Sequence, residues 1–436
     1  MRLLLVVAFL LFPAVAQAQL SEADRRVVET VQRETDRNVA LLERMVNQNS
    51  GTLNLPGVRA VADMLRPEFE ALDMEVRWVD MAETGRAGHL VATHQNLTRG
   101  ASKHILLIGH LDTVFEPSSP FQRFVRTTAN GGDRATGPGI GDDKGGVAVI
   151  IAALRALHST GQLRRMDVTV ILTGDEERPG SPLSIARRDL IAAGREADYA
   201  LEFENLARDD GRDFGTVARR SSSSWTLTAR GRTGHSSGIF TEGQGYGAIY
   251  EMARILDTFR RDLPEANLTY NVGVLGGGTP AQIDAQGLNV TASGKTNIIA
   301  ETAIARGDLR TLTADQDRRI RERMQAIVAQ HLPQTSAELV FADDGYPPMP
   351  PTEGNRRILT RLNEVNRLLG YPEMPEYDPG RRGAADSAFV AADVDTLAGL
   401  GMAGGSAHAE GEWVDLTSLP RQAIRTALLM MRLSRN

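Results

Sequence analysis

From about Leu20 to Gly51, apolar residues recur at helical spacing on a charged background ("VVETVQRETDRNVALLERMVNQ"), a pattern that predicts an amphipathic helix. "GVRAVADMLRPEFEAL" repeats it. The apolar runs then shorten: "MEVRWVD", "HLVATHQ" and "HILLIGHLD" predict strands, "GGVAVIIAALRALHST" a helix, and "DVTVILTGDEE" another buried strand. Strands alternating with helices predict an α/β unit, with a mixed, largely parallel sheet between helical layers.

Near Arg219 the texture changes. "SSSSWTLTARGRT" alternates polar and apolar positions as a half-exposed strand does, and "GYGAIYEMARILDTFRRDL" returns to helical spacing. Strands around "LTYNVGVLGG" and "NIIAETAIARGDLRTL", a helix in "ADQDRRIRERMQAIVAQHL" and a strand at "SAELVFAD" complete a small α+β pattern. The Pro-rich "GYPPMPPTEG" reads as an extended return to the first unit, which resumes with the helices "NRRILTRLNEVNRLLG" and "LPRQAIRTALLMMRLS". The expected organisation is a leader at 1–18, a first unit made of 19–217 and 336–436, and an inserted α+β unit at 218–335.

Length supports two domains, since 436 residues exceed one ordinary core. A net charge of -6 without a dense Lys/Arg tract argues against nucleic acid as a partner and for a small molecule or peptide. The opening "MRLLLVVAFLLFPAVAQAQL", with one Arg, an apolar stretch and the triplet Ala16-Gln17-Ala18, reads as a cleaved secretory signal, so the expected location is periplasmic or secreted. The stretch is too short for a stable membrane anchor. Cysteine is absent, which removes disulfides, thiol nucleophiles and cysteine metal sites.

Four acidic or histidine clusters sit where strands should end: His110 and Asp112 in "GHLDTV", Asp142 and Asp143 in "GPGIGDDKGG", Asp175 to Glu177 in "LTGDEERPG", and Glu204 in "YALEFEN". Ligands of α/β sheets bind at the carboxyl ends of strands, so these loops can face one crevice. Four or five carboxylates in one cleft repel severely unless cations neutralise them. Imidazole with carboxylate and no thiolate suits Zn2+, with Mn2+ or Co2+ as substitutes. One Asp can bridge two ions about 3.5 to 4 Å apart, and a pair of ions calls for a second imidazole, which His408 in "GGSAHAEGEWVD" offers.

The ordered set "HLDTV", "GPGIGDDKGG", "TGDEE", "ADYALEFE", "GRTGHSS", "NIIA" through "GDLR", and the His before "EWVD" resembles the co-catalytic zinc metallopeptidase family of bacterial glutamate carboxypeptidase, aminoacylase and succinyl-diaminopimelate desuccinylase. The glutamate carboxypeptidase branch is the nearest in these motifs. The resemblance implies His110 and Glu204 on one zinc, Glu177 and His408 on the other, and Asp142 as the bridge, joined to Asp143 by a cis peptide. It implies that Asp112 orients His110 and that Glu176 is the general base taking a proton from the attacking water. His235 would reach the substrate's carbonyl oxygen, often across a dimer interface. Asn297 and Arg310 would hold the substrate's free carboxylate, with Arg219 or Arg220 as a second contact.

Departures from the family pattern lie around the pocket. "RGAADSAF" replaces a glycine-rich "GGTD", so Ala384, Ala385 and Asp386 are expected to shape the pocket differently, and "AEGEWVD" replaces a serine-containing form after the last His. His89, His94, His104, His158 and His331 fit no motif and read as structural or surface residues. The expectation is an exported, homodimeric, two-zinc hydrolase that releases an amino acid by amide cleavage. Its rivals are an N-acyl-amino-acid deacylase or dipeptidase with the same chemistry, and a periplasmic binding protein that has lost catalysis. A serine hydrolase using "RRSSSS" fails for want of a G-x-S-x-G elbow.

Overall fold

The strand His104–His110 is apolar and buried from Ile105 onward, without alternation, as a strand covered on both faces must be. In the computed structural model, which describes residues 19–98, 100–128, 132–285, 287–343 and 345–435, it lies inside a six-stranded sheet. The predicted leader falls outside the described residues. The sheet runs Glu75–Asp80, Gly88–His94, Asp167–Thr173, His104–His110, Tyr199–Glu202, Asp395–Leu397, with the last four strands parallel and the first two added antiparallel. This is the mixed, largely parallel sheet that the alternation predicts.

Helices Glu22–Arg33, Thr35–Asn47, Lys144–Ser159 and Ser418–Leu433 pack together on one face. Lys144–Ser159 is buried from Lys144 to Leu157, which is why it reads as apolar nearly all round. Arg188–Glu196 packs on the opposite face, where Leu190 joins a cluster with Leu106, Ile108 and Val394. One expectation changes: the continuous N-terminal helix is two helices, broken at Glu34. The apolar stripe has no member at Glu34 or Thr35, so nothing holds those positions against the core, and the chain turns there.

Residues 223–341 form a second, antiparallel sheet ordered Thr269–Gly278, Thr302–Arg310, Ser223–Gly231, Thr335–Phe341. Helices Gly247–Asp262 and Ala314–Val328 pack against it around Trp225, Met252, Ile255, Phe259, Ile320 and Met324. The strand Thr335–Phe341 pairs along Ser223–Gly231, so this sheet extends past the boundary expected at 335. Its alternation continues to Phe341 because its partner strand lies at the start of the same unit.

The outgoing and returning connections pair with each other, through antiparallel bridges Arg219 to Met349 and Ser222 to Tyr346. A further small sheet, Val125–Thr127, Arg134–Thr136, Gly404–Gly405 and Trp413–Asp415, escaped the sequence reading because its strands have two or three residues each. It seats the segment carrying His408 beside the loop that leads to Asp142. Among the described residues no helix is long and apolar enough to cross a membrane.

Candidate metal centre

Parallel strands His104–His110, Asp167–Thr173 and Tyr199–Glu202 end on the same edge of the sheet, so His110, the Asp175–Glu177 turn and Glu204 emerge together. His110 is buried, with Nδ1 3.1 Å from the Asp112 carbonyl oxygen and 3.3 Å from Asp112 Oδ1. Its Nε2 lies 2.9 Å from Asp142 Oδ1. Asp112 is fully buried: Oδ2 accepts from Thr52 Oγ1 at 2.6 Å and from the Glu177 amide at 3.1 Å, and Oδ1 accepts from the Glu176 amide at 3.0 Å. One carboxylate therefore orients the imidazole and pins the turn that carries Glu176 and Glu177.

Asp142 faces two imidazoles, one per oxygen. Its Oδ2 is 3.1 Å from His408 Nε2, and the same nitrogen is 3.0 Å from Glu177 Oε2. The Asp142–Asp143 peptide is cis, and His408 holds a left-handed backbone, φ 63°. Ligand-capable atoms gather in two groups that share His110: His110 with Asp142 and Glu177, and His110 with Glu176 and Glu204, the atoms of each within 4.8 Å of one another. Four of the five expected ligands and the expected base are in these groups, and His408 closes on the first through Asp142 and Glu177. Glu176 stands beside Glu204, within ligating reach itself.

The loop under Asp142 is held by a residue that motif reading passed over. Glu412 is buried and accepts from the amides of Gly139 at 3.2 Å, Gly141 at 2.7 Å and Asp142 at 3.0 Å. It follows His408 in the same loop, so the His408 and Asp142 loops are fastened together. The signal lay inside "HAEGEWVD", where the acid four residues after the His had no role assigned.

The electrostatics show how costly the cluster is. Burial, and then Glu204, push Glu176 well above the usual carboxylate range. Burial drives Glu204 to about 8; Arg219 opposes this, while Glu202 and Asp142 add to it. Hydrogen bonds to Asp142 and Glu177 raise His408 to about 11. For His110, burial would lower the value, but Asp112 and Asp142 overcome it and raise it well above normal. Burial raises Glu176, Glu177 and Glu204, whereas at Asp112 and Asp142 burial is overcome by hydrogen bonds with the imidazoles, which hold them low, a charge balance expected of a site shaped for cations.

The expected substrate contacts are distributed differently. Arg219 is buried and spent: Nη2 donates to both oxygens of Glu202 at 3.0 and 3.1 Å and to Glu204 Oε2 at 2.7 Å. Arg220 donates to Thr269 Oγ1 and the Gly380 carbonyl, beside Arg310. Arg310 ends its strand at the joint between the units, with Nε 3.0 Å from Asp308 Oδ2. His235 and Asn297 lie at the other end of that sheet, where His235 bridges Ile298 and the Ser236 amide donates to the Asn297 carbonyl. The strand Thr302–Arg310 alone separates the ends by roughly 27 Å. Asn297 and Arg310 of one chain therefore do not meet at one carboxylate. Asp386 is buried, accepting from Arg187 Nε and Thr173 Oγ1.

The unmatched histidines are structural: His89 and His94 are buried against the Ala186 and Met166 carbonyls, His104 meets Thr169 Oγ1 and the Glu196 carbonyl, and His158 and His331 pair with Asp73 and Glu251.

Two imidazoles and three carboxylates gathered around Asp142, on loops at the carboxyl edge of a parallel sheet, form the donor set of a metal-dependent hydrolase. The sequence comparison agrees: residues 106–432 match the peptidase family M20/M25/M40, and the chain belongs to that family. It is 27% identical over 439 residues to carboxypeptidase G2 of Pseudomonas sp. (strain RS-16), covering 98% of this chain and 96% of the relative. It is 25% identical over 316 residues to succinyl-diaminopimelate desuccinylase of Gluconobacter oxydans (strain 621H), covering 71% and 76%. Similar solved structures include the aminopeptidase PepT of Bacillus cereus ATCC 10987, with TM-score 0.72, 19% identity and coverage of 92% and 98%. A dinuclear metal-binding M20 peptidase of Bacillus subtilis matches with TM-score 0.63, 16% identity and coverage of 92% and 99%.

Proposed function

We propose that the protein is an exported, zinc-dependent carboxypeptidase of the glutamate carboxypeptidase type, cleaving an amide bond to release a C-terminal amino acid with a free carboxylate. The observation that carries this reading is Asp142 with one oxygen toward each histidine, flanked by Glu177 on one side and Glu204 near the other. Asp142, His110 and Glu204 would hold one ion, and Asp142, His408 and Glu177 the other. When bound, the pair supplies a Lewis acid for the carbonyl and a water acidic enough to ionise near neutrality. Manganese or cobalt would serve the same donor set. Export rests on the opening signal-like segment.

Glu176 takes the proton from the attacking water and returns it to the leaving nitrogen. Its carboxyl stands beside His110 and Glu204, on the side that would hold a metal ion. Arg310, at the end of its strand beside Arg220, grips the free carboxylate. His235 and Asn297 of a second copy complete the site, donating to the carbonyl oxygen and to the carboxylate. The separation of these residues from Arg310 within one chain supports this. So does the exposed apolar surface of the inserted unit: Phe240, Ile249, Tyr250 and Leu275 are 53%, 48%, 51% and 56% exposed around the edge strand Thr269–Gly278.

Zinc-loaded protein assayed on C-terminal glutamate conjugates, N-acetyl amino acids and dipeptides separates the readings. Turnover of the conjugates is expected. Turnover restricted to the other two classes replaces the carboxypeptidase with a deacylase or dipeptidase.

A further inference from the structure

Behind the Glu176 turn, away from the metal-facing side, lies a network that no metal ligand belongs to. Arg187 is fully buried and uses all three guanidinium nitrogens there. Nη1 donates to Asp175 Oδ1 at 2.6 Å, Nε to Asp386 Oδ1 at 2.7 Å, and Nη2 to the Asp175 carbonyl at 3.1 Å. Asp386 Oδ2 accepts from Thr173 Oγ1 at 2.5 Å, and Asp175 Oδ2 accepts from the Gly180 amide at 2.8 Å. The last member is Tyr346. Its hydroxyl accepts from Arg187 Nη2 at 3.1 Å and donates to the main-chain carbonyl of Glu176 at 2.6 Å. Its ring rests on Phe389 with centroids 4.9 Å apart.

Tyr346 is on the connection that returns from the inserted unit, bridged to Ser222 on the outgoing one. The Glu176 peptide is thus gripped from two sides: its amide by Asp112, from the metal side, and its carbonyl by Tyr346, from the joint. We infer that Tyr346 is a positioning residue for Glu176, and that its hydroxyl ties the general base to the joint between the two units. A carbonyl held by a neutral hydroxyl, itself oriented by an immobile guanidinium, fixes the peptide without adding charge beside an already crowded acid cluster. Misplacing a catalytic group by about 1 Å can cost on the order of a hundredfold in rate, so such a tether has kinetic consequences out of proportion to one hydrogen bond.

The inference rests on Glu176 acting as the base, and its test keeps the two apart. Tyr346→Phe removes the hydroxyl and keeps the ring on Phe389. In the zinc-loaded full chain, kcat is expected to fall about tenfold or more, with KM within about twofold and bound metal unchanged. Amide hydrogen exchange, read without any substrate, should quicken at Glu176 and Glu177 and stay as in the unsubstituted protein over His104–His110. Unchanged kcat with unchanged exchange at those two amides overturns the inference. Exchange that quickens uniformly across the central sheet also overturns it, assigning Tyr346 a packing role. If the unsubstituted protein hydrolyses none of the substrates, the functional reading fails while the exchange result still decides whether Tyr346 positions the turn.

Discussion

The two sheets of this chain treat charge in opposite ways. In the inserted unit, many ion pairs line the solvent faces of helices, as with Arg318 and Asp315 or Arg260 and Asp257, and the core is Trp225, Phe259, Ile320 and their neighbours. In the larger unit, the sheet edge gathers Asp112, Asp142, Glu176, Glu177 and Glu204 with two histidines, and burial pushes several of these acids toward neutrality. A fold does not need the second arrangement; burying unpaired carboxylates costs stability unless something compensates them. The contrast identifies the cluster as a site whose energetics are completed by cations.

The contrast is broken most forcefully at Glu176. Glu176→Gln keeps the shape of the side chain and removes the base, so turnover is expected to fall by about 10²- to 10⁴-fold. Metal content should hold, since the assigned ligands remain. Steady-state kinetics with metal analysis on the same sample checks both. A variant with ordinary turnover would move the base elsewhere.

A smaller effect is expected at Asp112, which touches the ligand His110 and the Glu176 and Glu177 amides without being assigned as a ligand. Asp112→Asn should weaken metal binding by about 10- to 100-fold, measured by competition with a chelating dye. Affinity equal to that of the unsubstituted protein would reduce Asp112 to a turn-stabilising role.

The smallest effect is a difference in sign with pH, read in thermal melts of chelator-treated protein. His408 is raised to about 11 by Asp142 and Glu177. Its contribution is fully present below its unfolded value of roughly 6.5 and is lost as pH rises toward 11. Glu204, raised to about 8 chiefly by burial, binds more protons folded than unfolded above roughly 4.3, so it too loses stability as pH climbs. The metal-free larger unit should therefore weaken as pH rises from about 5 to 8. Glu251 in the inserted unit runs the other way. Burial opposes ionisation, but hydrogen bonds from Arg254 and the Leu332 amide hold its carboxyl below the usual value. Its stabilisation is present above roughly 4.3 and is lost as pH falls through the depressed folded value. Metal-free protein whose melts show no weakening across neutral pH would contradict the charge assignment around His408 and Glu204.

Much of this was legible in the sequence because its causes are local. Unbroken apolar runs marked the buried parallel strands, alternation marked Ser223–Gly231, strand exits marked His110, Glu177 and Glu204, and a glycine turn before a helix marked Asp142. What escaped depends on partners far along the chain. Glu412 acquires its role from amides 270 to 273 residues away. Arg219 reads as a free cation until Glu202 and Glu204 are folded against it. Tyr346 lies in a Pro-rich connection with no periodic signal, and its partner is a main-chain carbonyl, which no motif records. The pairing of Asn297 with Arg310 as one carboxylate clamp failed within a single chain for a related reason: motif order does not reveal that the two stand at opposite ends of one strand.

We propose that Asp142 joins two cation sites, one completed by His110 and Glu204 and the other by His408 and Glu177. The most direct test is zinc stoichiometry by equilibrium titration of metal-stripped protein, with and without His408→Ala. Two zinc ions per chain in the unsubstituted protein, and one tightly held ion after the substitution, is the predicted result. Failure of the unsubstituted chain to bind zinc, or the same stoichiometry and affinity in both proteins, would contradict it.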